Sequence, residues 1–177
     1  MNWKAPVTDI HNWPRLVQLG YILYDQQGQH LTTKEYIIRP EGFTIPEAAS
    51  NVHGITTERA MQDGLPLRSV LDEFHQLIHH AETLVAHNIA FDEKIIGAEF
   101  LRNQYHNNIP EKKKVCTMLA SVDFCAINGP YGYKWPSLTE LHKKLFNKSF
   151  DNAHNALADI RATADCFWEL RRLQVIG

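Results

Sequence analysis

The sequence has no apolar run long enough to cross a membrane, and its first residues lack the charged-then-apolar pattern of a secretory signal. It also has no C-x-x-C pair among its three cysteines, Cys116, Cys125 and Cys166. Their scatter argues against a disulfide framework or a zinc site and favours reduced thiols in or near the core. No internal repeat, linker or low-complexity segment is present. These absences predict a cytoplasmic protein without a membrane partner.

A strong net charge of either sign is also lacking. The 18 Lys and Arg residues are offset by 20 Asp and Glu residues, which gives a formal net charge of −2. Any binding of nucleic acid must therefore rest on a local patch rather than on the charge of the whole chain. A length of 177 residues with ordinary apolar content supports one domain with a full-sized core. We expect residues 1–177 to form that single domain.

The order of the predicted strands and helices is typical of an α/β layered domain. A β-rich run over Arg15–Tyr24, a turn at Asp25–Gly28 and a second strand from His30 indicate a hairpin. Apolar residues at helical spacing predict an amphipathic helix over Leu67–His80. The other predicted elements are a short helix over Glu47–Val52, a strand over Leu84–Ala86, a short strand at Val115–Thr117, a loop over Asn128–Trp135 and a helix over Ser137–Leu145.

The longest predicted helix begins near Ala156, and a histidine, His154, lies five residues before a carboxylate, Asp159. Positions five apart on a regular helix differ by about 140° in direction, so two ligands of one metal would not naturally come from there. We therefore place His154 in the preceding loop and Asp159 in the early turns, where a base and a carboxylate can converge on one point. The alternative is an ordinary helix start with unrelated polar residues.

A second carboxylate, Asp92, follows the apolar run Leu84–Ala86 and precedes Ile95 and Ile96 on the inward face of the next predicted helix. In an open α/β sheet, ligands bind beyond the carboxyl ends of the strands. A carboxylate on an inward face needs a partner such as a metal, a base or a helix-end amide. Alternatively, Asp92 only stabilises the N-terminus of its helix through the macrodipole.

Together these segments resemble a known family. HNIAFD (His87–Asp92), followed later by HNALAD (His154–Asp159), resembles the second and third motifs of the DEDDh 3′–5′ exonucleases, which include the proofreading subunit of bacterial DNA polymerase III. Three further stretches fit the same family: NVHGIT (Asn51–Thr56), KVCTM (Lys114–Met118) and WPSLTELHKKLF (Trp135–Phe146). The resemblance implies a ribonuclease-H-like fold, a mixed five-stranded sheet with helices on both faces.

The chemistry that the resemblance implies is hydrolysis of a phosphodiester at a 3′ end, which releases a nucleoside 5′-monophosphate. Four carboxylates hold two divalent ions, Mg²⁺ or Mn²⁺, in the family site. By motif position, Asp159 is a direct metal ligand, Asp92 acts at or just outside the coordination shell, and His154 is the general base. The implied partners are the 3′ end of DNA or RNA and, for polymerase-associated members, a DNA polymerase subunit.

Four residues are candidate substrate contacts by their place in the family motifs: His53, Gly54, Asn88 and Phe91. The alternative for His53 and Gly54 is a plain helix stop, and the alternative for Phe91 is a place in the core. Tyr133 and Trp135, in the predicted loop over Asn128–Trp135, have no assigned role.

One departure from the family limits these expectations. The first family motif, an Asp-x-Glu pair on the first and central strand, is absent from the sequence. We therefore expect a sheet without its usual central strand, a chain truncated at its N-terminus relative to the family, and weak metal binding. The sequence predicts a 3′–5′ exonuclease domain that is inactive as it stands. The alternative is a non-catalytic module that binds nucleic acid or a polymerase, although a pure binder has no use for a general base at His154.

Overall fold

The computed structural model describes residues 1–150 and 155–177. The strands in these residues are β1 (Gln18–Tyr24), β2 (His30–Ile37), β3 (Thr83–Ala86), β4 (Lys113–Cys116), β5 (Asn128–Gly129) and β6 (Gly132–Tyr133). The α-helices are α1 (Glu47–His53), α2 (Thr57–Asp63), α3 (Leu67–His80), α4 (Ile89–Arg102), α5 (Thr117–Ala120), α6 (Val122–Cys125), α7 (Leu138–Phe146) and α8 (Ala156–Arg172). This mixture of helices and small sheets confirms the predicted α/β class. No helix in the described ranges combines the length and the apolar character that crossing a membrane requires.

The strands pair two by two. β1 pairs with β2, β3 with β4, and β5 with β6, each pair as a two-stranded sheet. Within the described residues, no strand pairs with both β1–β2 and β3–β4, so the five-stranded sheet of the family is not formed. A single parallel bridge, between Ile38 and Leu65, lies outside the named strands.

The chain divides into two compact units, and each unit is made of three separate segments of the sequence. Unit 1 comprises Met1–Gly20, Glu35–Leu84 and Ala90–Lys113. Unit 2 comprises Tyr21–Lys34, Val85–Ile89 and Lys114–Gly177. The expectation that residues 1–177 form one exonuclease-like domain stays a prediction.

The core of unit 1 forms around α3 and α4. Buried apolar side chains of both helices and of the N-terminal segment form one cluster, which includes Trp13, Leu16, Val70, Leu71, Ile95, Ile96 and Phe100. Beside it, the carboxylate of Glu99 is fully buried and accepts hydrogen bonds from the Arg15 guanidinium at 2.8 Å and from the Leu16 amide at 2.9 Å. Arg102 forms a second ion pair with it at 3.0 Å. Because a buried charge is tolerated only when it is paired, Glu99 fixes the N-terminal segment on α4.

Unit 2 packs α7 against α8 around Leu141, Cys166 and Leu170, and Cys125 completes this cluster. Helix α7 begins with a reciprocal capping box, in which the Ser137 side chain accepts from the Glu140 amide while the Glu140 carboxylate accepts from the Ser137 amide. Burial raises the pKa of the Cys166 thiol to about 12. The cysteines of the described chain are free thiols, as expected.

The predicted loop over Asn128–Trp135 is instead a small hairpin, so that prediction was wrong. Asn128 pairs with Tyr133 and Gly129 with Gly132 in an antiparallel register. Gly132 has a φ of +118°, a conformation that side chains other than glycine rarely adopt. Two-residue strands carry too little alternation of apolar and polar residues to be recognised from sequence.

Candidate functional site

The turn between β3 and α4 places the first candidate residues. β3 ends at Ala86 and α4 begins at Ile89, so only two residues reverse the chain. Asn88 has a φ of +71°, in the left-handed region that Asn enters more readily than most residues, and its side chain is exposed. This tight turn brings Asp92 into the first turn of α4, as predicted. Whether Asn88 contacts substrate stays a prediction.

The environment of Asp92 disfavours its charged form. Part of the side chain is exposed to solvent, yet the protein around the carboxylate desolvates it and raises its pKa from 3.8 to about 6. The Asp92 side chain can touch water on one side and still be desolvated, because the protein atoms on its other sides exclude water from around the carboxylate. Burial outweighs the backbone hydrogen bond, which acts in the opposite direction. Whether Asp92 holds a metal or only stabilises the start of α4 stays a prediction.

His87 makes two hydrogen bonds within unit 2. Its Nε2 atom lies 3.0 Å from the carbonyl oxygen of Pro136, and its Nδ1 atom lies 3.0 Å from the hydroxyl of Thr117. Because a carbonyl only accepts, Nε2 donates, and in the neutral ring Nδ1 accepts the Thr117 hydroxyl proton. Desolvation lowers the pKa of His87, while the Pro136 hydrogen bond and the charge of Asp159 oppose that shift. His87 is thus a neutral bridge between the end of β3, the start of α5 and Pro136, which precedes the N-cap residue of α7.

Asp159 lies in the first turn of α8, where the sequence places it. Asn155 caps the helix by accepting a hydrogen bond from the Ala158 amide at 3.2 Å, and the amide of Asp159 donates to the Asn155 carbonyl at 2.9 Å. The side chain of Asp159 is half-buried, and its charge acts on His87. His154, the predicted general base, lies outside the described residues.

The turn at His53 and Gly54 ends α1. Gly54 has a φ of +72°, and its amide donates to the Ser50 carbonyl, which is the arrangement of a left-handed helix cap. Nδ1 of His53 accepts a hydrogen bond from the Ile55 amide at 3.2 Å, so the neutral ring carries its proton on Nε2. Desolvation lowers the pKa of His53. The helix stop accounts for this geometry, and substrate contact by these two residues stays a prediction.

Phe91 lies on the side of α4 that meets the core of unit 1. Its ring is half-buried, packs against that core and lies 5.5 Å from the ring of Trp3 between centroids. These contacts support the core interpretation of Phe91 rather than a base-stacking role. The stacking role stays a prediction.

The carboxylates available do not make up the metal site of the family. Residues 1–150 and 155–177 contain no cluster of three or more His, Cys, Asp and Glu side chains that could hold a metal ion. The sequence offers Asp92 and Asp159 but no Asp-x-Glu pair, whereas two hard cations held side by side need more oxygen ligands than two carboxylates supply. The donor set therefore does not fit a pair of divalent ions, and no metal-dependent step is assigned to these residues.

Sequence reasoning missed His87 as a residue of this site. It belongs to the HNIAFD segment, yet its partners Thr117 and Pro136 lie 30 and 49 residues further along the chain. The available signal was a histidine at the end of an apolar strand, where a half-buried imidazole requires hydrogen-bond partners.

Comparison with known proteins places the chain among nucleases. A family model described as an exonuclease matches residues 8–167, which is most of the chain. No curated protein sequence matches it. Similar solved structures include E. coli exonuclease I in complex with a dA16 oligonucleotide, with a TM-score of 0.72 and 17% identity over 91% of this chain and 38% of that chain. The complex of the same enzyme with a dT13 oligonucleotide has a TM-score of 0.74 and 18% identity, over 92% of this chain and 39% of that chain.

A zinc-bound form of the complex of that exonuclease with ssDNA gives a TM-score of 0.72 and 20% identity, over 90% of this chain and 37% of that chain. The chain thus spans well under half the length of these proteins. At such identities, the similarity shows a shared fold.

Proposed function

Because this chain belongs to the exonuclease family, we propose that it is a nuclease domain that acts on the 3′ end of nucleic acid and releases nucleoside 5′-monophosphates. The family match over residues 8–167 is the observation that carries this proposal. The 3′–5′ direction rests on the resemblance of His87–Asp92 and His154–Asp159 to the DEDDh motifs. The oligonucleotides bound to the similar E. coli enzyme support nucleic acid as the partner.

The positions of the candidate residues support their proposed roles. Asp92 and Asp159 each lie in the first turn of a helix, and His154 precedes the second of these helices. In a complete family site, the two aspartates would be two of the four carboxylate ligands for Mg²⁺ or Mn²⁺, and His154 the general base. Since the Asp-x-Glu pair that would supply the other two carboxylates is absent from the 177 residues, we propose that this chain binds nucleic acid but does not hydrolyse it as it stands.

The experiment that tests this proposal restores the absent motif. A family strand that carries Asp-x-Glu is fused before Met1, and a single-stranded oligonucleotide labelled at its 5′ end is incubated with Mn²⁺. We expect stepwise shortening from the 3′ end by the fusion and none by the unfused chain. Asp159→Ala should abolish the shortening, whereas Asp165→Ala, on the exposed surface of the same helix, should not.

Two results would count against the proposal. Shortening that survives Asp159→Ala would show that this carboxylate is not in the site. Shortening that survives His154→Ala would show that His154 is not the base.

A non-catalytic role is the second candidate, because the sequence lacks the Asp-x-Glu pair. In that role the domain would hold nucleic acid or a DNA polymerase subunit without cleaving. The fused protein distinguishes the two candidates: a fusion that folds, binds the oligonucleotide and binds Mn²⁺ but never shortens the strand favours the binding module.

A further inference from the structure

The hairpin of β5 and β6 presents aromatic side chains to solvent. Tyr131, at its tip, is fully exposed, Tyr133 is 51% exposed, and Trp135, which follows β6, is 65% exposed. Aromatic side chains have large apolar surfaces, and a group of them exposed to solvent usually indicates a binding surface. No role in the proposed hydrolysis uses these rings.

The hairpin is anchored at its base. The Lys134 amide donates to the Ile127 carbonyl at 2.9 Å, which continues the ladder beyond Tyr133. Next along the chain, the buried Pro136 accepts the hydrogen bond from His87. The two rings nearest this base, Tyr133 and Trp135, are thus presented by a fixed backbone, so a ligand does not have to order that segment on binding.

The spacing of Tyr133 and Trp135 suits a nucleic-acid base. β6 ends at Tyr133, and Trp135 lies two residues further on, after the Lys134–Ile127 hydrogen bond that continues the ladder. Where such a segment is extended, residues two apart point to the same face, about 6.6–6.8 Å apart. Trp135 precedes a proline, which restricts its backbone to extended conformations. Stacked bases are separated by about 3.4 Å, so a gap of twice that distance accepts one base between two rings.

The charge around the hairpin is opposite to that of the whole chain. Residues 126–150 contain four lysines, Lys134, Lys143, Lys144 and Lys148, and one acidic residue, Glu140. Their formal net charge is +3, against −2 for the chain. Lys134 pairs with Glu140 at 2.6 Å, and the side chains of Lys143 and Lys144 are exposed on α7. Lysines in the same stretch of sequence as the exposed rings match a single strand, which offers both phosphates and unpaired bases.

We propose that Tyr131, Tyr133 and Trp135 form a stacking site for the unpaired bases of single-stranded nucleic acid, with the neighbouring lysines attracting its phosphates. This inference rests on the proposed function, because it assumes that nucleic acid is the partner. Stacking accepts every base, so the site binds with little sequence preference. It also requires unpaired bases, so a duplex does not use it.

The test measures binding of a fluorescein-labelled oligothymidylate to the full chain by fluorescence anisotropy, without divalent ions. Removing one stacked base contact by Trp135→Ala should raise Kd about 10-fold, within the range for loss of one base–aromatic stack. Trp135→Phe keeps a ring and should stay near the unaltered Kd, whereas Trp135→Leu keeps apolar surface without a ring and should resemble Trp135→Ala. Tyr131→Ala, at the fully exposed tip, is the variant least able to disturb folding and should also weaken binding.

A second readout is the tryptophan fluorescence of the protein. The chain has four tryptophans, so the fluorescence of Trp135 must be separated from that of the other three. Quenching by oligothymidylate that occurs in the unaltered protein but not in Trp135→Phe reports contact of a base with residue 135. A blunt duplex should bind with the same Kd to the unaltered protein and to Trp135→Ala.

The outcomes separate the two proposals. If the unaltered protein binds the oligothymidylate and the double variant Tyr133→Ala/Trp135→Ala, shown by circular dichroism to be folded, binds it equally, the stacking site is wrong and the proposed function stands. If the unaltered protein binds no nucleic acid, single-stranded or duplex, the proposed function is wrong and this inference falls with it.

Discussion

The Nε2 atom of His87 lies 3.0 Å from the carbonyl oxygen of Pro136, across 49 residues of sequence. The same imidazole reaches the Thr117 hydroxyl through Nδ1. One side chain therefore joins the end of β3 to the helix that follows β4 and to the base of the aromatic hairpin. Each ring nitrogen already has a hydrogen-bond partner, so His87 acts by holding Thr117 and Pro136 in place rather than by exchanging protons.

Removing this bridge should destabilise the protein. His87→Ala leaves the Pro136 carbonyl without this donor and the Thr117 hydroxyl with the more distant Ala86 carbonyl, 3.5 Å away, as an acceptor, and such a loss costs about 1–3 kcal/mol. We expect the free energy of unfolding, measured by urea denaturation, to fall by that amount. His79→Ala removes an exposed imidazole from the last turn of α3 and should change it by less than about 0.5 kcal/mol. Equal effects of the two substitutions would contradict the bridging role.

The same residue should make the fold sensitive to acid. The pKa of His87 is lower in the folded protein than its usual value of 6.5 because burial disfavours the imidazolium. As the pH falls through 6.5, the unfolded chain takes up the proton first, so the free energy of unfolding decreases until the folded-state pKa is passed. Above pH 6.5 this contribution is complete and constant.

The measurement is the midpoint of urea unfolding at several pH values. His53 adds to the acid sensitivity in the same direction, because desolvation also lowers its pKa. The contribution of His87 is therefore the difference between the unaltered protein and His87→Gln in how steeply the midpoint of urea unfolding changes with pH. A variant that keeps the full pH dependence would contradict the prediction.

Replacing Asp92 should stabilise the protein in the absence of metal. Its pKa of about 6 in the fold exceeds the usual 3.8, so ionisation opposes folding. The cost is fully present above pH 6 and disappears as the pH falls through 3.8. After discounting for the exposed part of the side chain, we expect Asp92→Asn to raise the free energy of unfolding by on the order of 1 kcal/mol near neutral pH.

That measurement is made in EDTA, with Asp165→Asn on the exposed face of α8 as the control. The gain from Asp92→Asn should vanish in strong acid, where both states of the unaltered protein are protonated. A loss of stability near neutral pH would show that Asp92 serves mainly to stabilise the start of α4.

Removing the buried carboxylate of Glu99 should have the largest effect of these substitutions. Glu99→Ala leaves two guanidinium groups without their shared anion, and breaking a buried pair costs about 3–5 kcal/mol. We expect a matching fall in the free energy of unfolding and faster proteolysis before residue 16. Glu111→Ala removes an exposed carboxylate and should cost less than about 1 kcal/mol. Equal stability of both variants would contradict the role of Glu99.

Local sequence signals predicted the helices and their starts well. The helix over Leu67–His80 has the predicted bounds, because its apolar face repeats at helical spacing without interruption. Asp92 and Asp159 lie in first helical turns, as expected from the residues before them.

Features that depend on distant parts of the chain were not accessible in the same way. The partners of His87 are far away in sequence, and the two-residue strands β5 and β6 are shorter than any periodic pattern. The burial of Glu99 was also missed, because a glutamate within a helix usually faces solvent and only its partners Arg15 and Arg102 make burial tolerable.

The interleaving of the two units has a consequence for the synthesis of the chain. Unit 1 has its last segment at Ala90–Lys113, and unit 2 begins at Tyr21. On a ribosome, unit 1 cannot close until its last segment, Ala90–Lys113, has emerged, and unit 2 cannot close until part of Lys114–Gly177 has emerged, so early folding must rely on local helices such as α3. Such non-local closure is slow compared with the folding of contiguous domains, and no single cut of the polypeptide liberates either unit whole.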